Sequence, residues 1–222
     1  MNATTERPEA VLFDVDGTLL DSVPLFIEMS AELIRELGAP PVPEAHIRAL
    51  MSEATPDLLL KILPEDFPDA KQRVEALMAA NMARFMERYH QESRLLPDAV
   101  ETVQELAAGG FVLGLATSSG RALPFLDRCG LRDHFAAIVG REDVARHKPH
   151  PEPLLLCAER ITRDPGRCMY VGDSLVDIRA ARAAGMTAVA IPTGTSPRER
   201  LAEEGPDLLL GRLSELPSLL AT

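Results

Sequence analysis

The sequence has few cysteines, few basic residues relative to acidic ones, and no long apolar run. Its three cysteines, Cys129, Cys157 and Cys168, are scattered through 222 residues with no CxxC pair. That speaks against a disulfide framework or a zinc site and fits a reducing cytoplasm. Lysine and arginine number 23 against 34 aspartates and glutamates, a formal net charge of −11. A nucleic acid is not expected as partner, because phosphate backbones select basic surfaces. A small phosphorylated molecule stays open, since a metal ion can supply positive charge locally. No apolar run reaches membrane-spanning length. The N-terminal "MNATTERPEAVLFDV" has no signal-peptide layout, because a charged, proline-bearing stretch precedes a short apolar run. What the chain does have is a 46% hydrophobic fraction, enough for a folded core. The expectation is a cytoplasmic chain, one large domain or a domain with a smaller insert.

From residue 97 onward, apolar strands alternate with helices. "DAVETVQELAAGG" predicts a helix with Asp98 as N-cap and Gly109 as stop. "FVLGLAT" predicts a buried strand. The pattern then repeats: helix "RALPFLDRCG", strand "FAAIVG", helix "PEPLLLCAERI", strand "CMYVGD", helix "LVDIRAARAAG", strand "TAVAIPT". A helix "PRERLAEEG", a short strand "DLLL" and a helix "LSELPSLL" close the chain. Continuous apolar strands joined by helices imply an α/β fold with a parallel, doubly wound sheet covered on both faces. In such sheets the active crevice lies at the carboxyl ends of the strands.

Residues 20–95 break the alternation. "SVPLFIEMSAELIRELG" places Phe26, Met29, Leu33, Ile34 and Leu37 on one helical face. A second long helix does the same with Val74, Leu77, Met78, Asn81, Met82, Phe85 and Tyr89. Shorter helices are expected around "EAHIRALM" and "TPDLLLKIL". The domain expectation is therefore a core of residues 1–19 and 96–222 and a helical insert of residues 20–95. Methionines 78, 82 and 86 read as filler of the insert's own core.

The chemistry-bearing residues fall at strand ends. "VLFDVDGTLLDS" ends an apolar strand in Asp14 and Asp16. Two close carboxylates repel and are costly to bury, which is tolerated if a cation sits between them or one carries a proton; the plainer reading is a polar loop with Asp16-Gly17 as a turn. Strand "VLGLAT" ends in Thr117, Ser118, Ser119 and Gly120. Strand "CMYVGD" ends in Asp173, with Asp177 one helical turn later. Lys148 precedes a proline-punctuated helix start in "RHKPHPEP". Each has a plainer reading. Ser118, Ser119 and Asp173 make good N-caps, Lys148 could be a solvated lysine, and Asp173 with Asp177 could be a helix-start charge pair.

Taken together, "DVDGTL", the threonine of "LATSS", the lysine of "KPHPEP", and "VGDSLVD" resemble, in order, the four motifs of the haloacid dehalogenase superfamily. The resemblance covers nearly the whole chain and is nearest the phosphoglycolate phosphatase-like branch. It implies a Rossmann-like core with a helical cap inserted after the first motif. It also implies Mg²⁺-dependent hydrolysis of a small phosphomonoester through an aspartyl phosphate, by a monomer or homodimer. Asp14 is then the nucleophile. Asp16 protonates the leaving oxygen and later activates water. Thr117, the Ser118 backbone N–H and Lys148 hold the phosphate. Asp14, Asp173 and the Asp16 carbonyl ligate the metal, and Asp177 acts on it through water. Gly17 permits the turn behind the nucleophile, and Thr18 sits at the hinge into the cap. Arg48 is the cap residue best suited to a substrate carboxylate or second phosphate, ahead of His46, Ser52 and Glu53.

Two relatives with the same nucleophile fit less well. Haloacid dehalogenases generally lack an acid where this sequence has Asp16. Sugar phosphomutases of the β-phosphoglucomutase type carry a cap histidine where this sequence has Phe26, and a basic-glycine-x-serine-arginine motif that "RALMSEA" does not match. The phosphoglycolate phosphatase branch commonly has a glycine before the third cap helix, and "ALMSEATPD" has none.

Overall fold

The computed structural model describes residues 7–51, 53–119 and 122–221, the side chains of residues 122–124 excepted. Ser52 and Gly120, both named above, lie outside the described residues. In chain order the elements begin with β1 (Ala10–Phe13), α1 (Val23–Glu36), α2 (Glu44–Ala49), α3 (Thr55–Ile62) and α4 (Ala70–Glu92). Alternation follows with α5 (Ala99–Ala108), β2 (Val112–Ala116), α6 (Ala122–Arg128), β3 (Phe135–Val139) and α7 (Glu152–Arg160). It continues through β4 (Cys168–Gly172), α8 (Leu175–Ala184), β5 (Thr187–Ala190), α9 (Arg198–Glu204), β6 (Leu208–Leu209) and α10 (Glu215–Leu220). The chain divides into two compact units, residues 1–21 with 95–222, and residues 22–94.

In the larger unit all six strands, among the described residues, form one parallel sheet in the order β3-β2-β1-β4-β5-β6. Successive strands run outward from β1 in one direction, then in the other from β4. The switch point therefore lies between β1 and β4, where doubly wound sheets open a crevice. Phe13, the last residue of β1, pairs in register with Leu115 on β2 and Val171 on β4. The residues just past Phe13, Ala116 and Gly172 are thus brought level. The four-residue strand β1 is wholly buried, as a central parallel strand covered on both faces must be. Leu12, Ala116, Val139 and Tyr170 pack with Leu154 and Cys157 of α7 and Ile178 and Ala181 of α8.

The smaller unit has its own core, built from α1, α2, α3 and α4. On α1 the buried set is wider than the expected stripe. Leu25 and Ile27 are buried beside Met29, Leu33 and Ile34, while Phe26 is only partly buried, edge-on to Phe85. On α4, Val74, Met78, Phe85 and Tyr89 are buried, but Met82 is 46% exposed. Met82 is therefore not core filler. Glu28, Glu32 and Glu36 of α1 face Arg84 and Arg88, and Glu36 also accepts from Asn81. That side of α4 is covered, and the Met82 edge stays in water.

Candidate active site

Asp14 follows β1 directly, and its N–H continues the ladder by donating to Val171 O at 2.9 Å. Thr117 follows β2, and its N–H donates to Val139 O at 2.9 Å. Asp173 follows β4. These three side chains are thus each carried on the first residue past a strand. Asp14, Thr117, Asp173 and Asp177 are all buried.

Lys148 reaches into this cluster and is itself buried. Its Nζ lies 3.1 Å from Asp14 Oδ1 and 2.7 Å from Asp177 Oδ1. Its third donor goes to the Tyr170 hydroxyl at 2.9 Å, and that hydroxyl donates to Ala116 O at 2.7 Å. Lysine is thereby fixed by three partners on three segments. One ligand oxygen each from Asp14, Asp173 and Asp177 fall within 4.8 Å of one another. The Asp16 carboxylate is not part of that trio. Asp16 is half-buried in the turn behind Asp14, where it bridges to Leu20.

Burial sets the charges. It pushes the Asp14 carboxyl up to about 8, against the pull of Lys148 and with the push of Asp177, Asp173 and Asp16. Burial and the Asp177 charge push Asp173 up to about 7, against the hydrogen bonds from Thr195. Burial works against the Lys148 ammonium, but Asp14 and Asp177 outweigh it and hold its pKa well above the usual lysine range. One cation therefore faces three carboxylates, two of which resist ionising. The donors are all carboxylate oxygens, with no imidazole or thiolate. That set fits a hard divalent cation such as Mg²⁺.

Removing the lysine leaves Asp14 and Asp177 facing each other without a counter-ion. Lys148→Met is expected to cost about 3–5 kcal/mol, the usual penalty for breaking a buried pair. Urea unfolding at about pH 8 would measure it. The exposed pairs around Arg84 give the scale, since such contacts contribute only about 0–1 kcal/mol each.

The helix after Asp173 is capped by its neighbour. Ser174 is the N-cap of α8, in a capping box with Asp177. Its N–H and hydroxyl both donate to Asp177 Oδ2. Asp173 is therefore free of capping duty and turns to Thr195 instead. Thr18 is fully buried and donates to Asp173 Oδ1 at 3.4 Å. It belongs to this cluster, in the larger unit, whose first segment ends at Asp21. Ser118 is exposed just beyond β2, and the Ser119 N–H donates to Thr117 Oγ1 at 3.1 Å. Arg48 lies in the smaller unit, on α2, where it pairs with Glu44 at 2.8 Å.

Several contributors escaped the sequence. Tyr170 reads as one more apolar strand residue, although a buried hydroxyl must find partners. Thr193, Gly194 and Thr195 follow β5. The strand-end rule that found Asp14, Thr117 and Asp173 reaches them as well.

Comparison with known proteins places the chain among relatives. A model of the haloacid dehalogenase-like hydrolase family matches residues 11–191. A phosphoglycolate phosphatase of Xanthomonas campestris pv. campestris is 35% identical over 201 residues, 90% of this chain and 88% of the relative. An N-acetylmuramic acid 6-phosphate phosphatase of Pseudomonas aeruginosa is 33% identical over 223 residues, 96% of this chain and 95% of the relative. Among solved structures, a haloacid dehalogenase-like family protein of Streptococcus pneumoniae superposes with a TM-score of 0.80. It is 22% identical, covering 96% of this chain and 98% of that one.

Proposed function

Because the chain belongs to the haloacid dehalogenase-like hydrolase family, we propose that it is a phosphatase that hydrolyses a small phosphomonoester through phosphorylated Asp14. The observation that carries this is Lys148, buried between Asp14 and Asp177 in a carboxylate cluster that Asp173 completes. A cytoplasmic setting suits a chain whose three cysteines are all free.

Asp14 attacks phosphorus with a carboxylate oxygen, and the bond from phosphorus to the ester oxygen breaks. Asp16 gives its proton to that leaving oxygen. It then takes a proton from the water that attacks the phosphoryl group on Asp14. One carboxyl thus serves as acid and then base, the logic of retaining glycosidases. Lys148 keeps Asp14 oriented and offsets charge as it builds. Thr117 and the Ser118 backbone N–H hold phosphate oxygens. Asp14, Asp173 and the Asp16 carbonyl would hold Mg²⁺, with Asp177 acting through water. When bound, the ion relieves the repulsion between carboxylate and phosphate.

The test is phosphate release from a panel of esters with Mg²⁺ and with EDTA. Phosphoglycolate and N-acetylmuramic acid 6-phosphate head the panel, followed by sugar phosphates, nucleotides and p-nitrophenyl phosphate, with 2-haloacids as control. Release that requires Mg²⁺ is expected, with no halide from the control. Absence of release from every ester would overturn the proposal.

A second expectation concerns stability. An ordinary aspartate carboxyl titrates near 3.8, against about 8 for Asp14 and about 7 for Asp173 in the folded chain. Between those limits the folded protein keeps protons that the unfolded chain has released. Metal-free stability should therefore fall as pH rises through that window. A bound cation needs the ionised carboxylates, so its effect runs the other way. The rise in Tm on adding Mg²⁺ is expected to be larger at about pH 8 than at about pH 5. A rise independent of pH would contradict the assignment of Asp14 and Asp173 as ligands.

A further inference from the structure

Asp173 is held by the loop that follows β5, which has no role in the chemistry above. The Thr195 N–H donates to Asp173 Oδ2 at 2.6 Å, and the Thr195 hydroxyl donates to the same oxygen at 3.0 Å. Among the described residues, Asp173 Oδ1 has only a long bond from Thr18, at 3.4 Å. The two oxygens of this carboxylate are therefore unlike: one is committed, the other open to a ligand role.

The carboxylate also lacks room to turn. A Cβ placed on Gly194 would lie 2.0 Å from Asp173 Oδ2, and one on Gly17 would lie 2.8 Å from the same oxygen. Both positions need glycine, and Gly17 needs it twice over, since its φ is +78°. The Thr193 hydroxyl donates to Gly17 O at 2.6 Å. That bond ties the β5 loop to the turn that carries Asp14 and Asp16.

We infer that Thr195 is a metal-selectivity residue: its hydroxyl, added to its backbone N–H on Oδ2, confines Asp173 to ligation through one oxygen, which favours Mg²⁺ over Ca²⁺. This rests on reading the carboxylate cluster as a Mg²⁺ site. Mg²⁺ demands near-octahedral geometry with short bonds and keeps several waters. Ca²⁺ takes more ligands at longer distances and accepts both oxygens of a carboxylate. For Asp173 to offer both oxygens, Oδ2 would have to give up two hydrogen bonds. Asp177 has both oxygens engaged, Oδ2 by two Ser174 donors and Oδ1 by Lys148, which suits action through water rather than direct ligation. Asp173 thus presents a single oxygen, the arrangement the smaller ion prefers.

Thr195→Val removes the hydroxyl and keeps the shape, and Thr195→Ser keeps the hydroxyl. Thr195 is half-buried, so valine there does not threaten the core. Affinities for Mg²⁺ and for Ca²⁺, each alone and without substrate, are measured by isothermal titration calorimetry and checked by Tm shift. Thr195→Val is expected to weaken Mg²⁺ binding by roughly 10-fold, the lower range for loss of a partner that orients a ligand. Ca²⁺ should weaken less or tighten, so the preference for Mg²⁺ falls, while Thr195→Ser keeps it. An unchanged preference in Thr195→Val, whether or not both affinities drop, would overturn this inference alone. A parent protein that bound neither ion would overturn the Mg²⁺ reading together with it.

Discussion

Asp14→Asn is expected to lower kcat by roughly 10⁴-fold or more on every ester, the scale seen when a nucleophile is removed. The folded protein should be at least as stable as the parent at about pH 8. The two halves of that expectation have one cause. Asp14 sits in a buried site where the carboxyl is pushed up to about 8. Ionisation there works against the surroundings, so on the proposed mechanism it would serve attack on phosphorus rather than stability. Asparagine has the same shape, carries no charge and cannot attack. Lys148 would keep Asp177 at 2.7 Å and Tyr170 at 2.9 Å, so it is not left unpaired. The comparison with Lys148→Met is informative, because that change strands charges and should unfold the protein more easily. Steady-state turnover and calorimetric Tm, measured on the same preparation, test both halves. Near-normal turnover in Asp14→Asn would remove the nucleophile assignment. Lost turnover with a large drop in Tm would mean that Asp14 is a structural partner of Lys148 first.

Strand ends carried most of what the sequence disclosed. A parallel sheet collects the carboxyl ends of its strands on one side, so Asp14, Thr117 and Asp173 had to converge once their strands were recognised. Lys148 converges too, although its segment is not a strand. Spacing alone cannot say that its ammonium would reach Asp14 and Asp177. The hidden part depends on loops that fold back. Thr195 is 22 residues from Asp173 in sequence, and threonine in a loop after a strand is common. Only the approach of Gly194 to the carboxylate makes it particular. The contact of Thr18 with Asp173 is hidden as well, because the fold of the glycine turn onto that carboxylate is not written in its neighbours. Met82 shows the limit of periodicity in another way. The helical repeat places it near a buried stripe, but burial also needs a partner on that side, and α1 lies along the other edge.

Asp16→Asn separates the two halves of the reaction. On an alkyl phosphate it is expected to lower kcat by roughly 10²- to 10⁴-fold, the range for loss of a general acid or base. The alkoxide is a poor leaving group, and on the proposed mechanism its departure would depend on the proton from Asp16. p-Nitrophenolate leaves without a proton, so the first half should survive on p-nitrophenyl phosphate. The second half still needs a base for the attacking water, and asparagine is none. Phosphorylated Asp14 should therefore accumulate. A rapid burst of nitrophenolate, equal to the enzyme present, followed by slow turnover is the expected trace. The half-buried position of Asp16, outside the trio of Asp14, Asp173 and Asp177, fits a group that works on protons. If Asp16 instead contributed only its backbone carbonyl, Asp16→Asn would keep that atom and lose little on either ester. If its side chain only shaped the turn with Leu20, both esters would slow equally and no burst would appear. Neither of those outcomes can be mistaken for an acid that becomes a base, because only that role makes the defect depend on the leaving group.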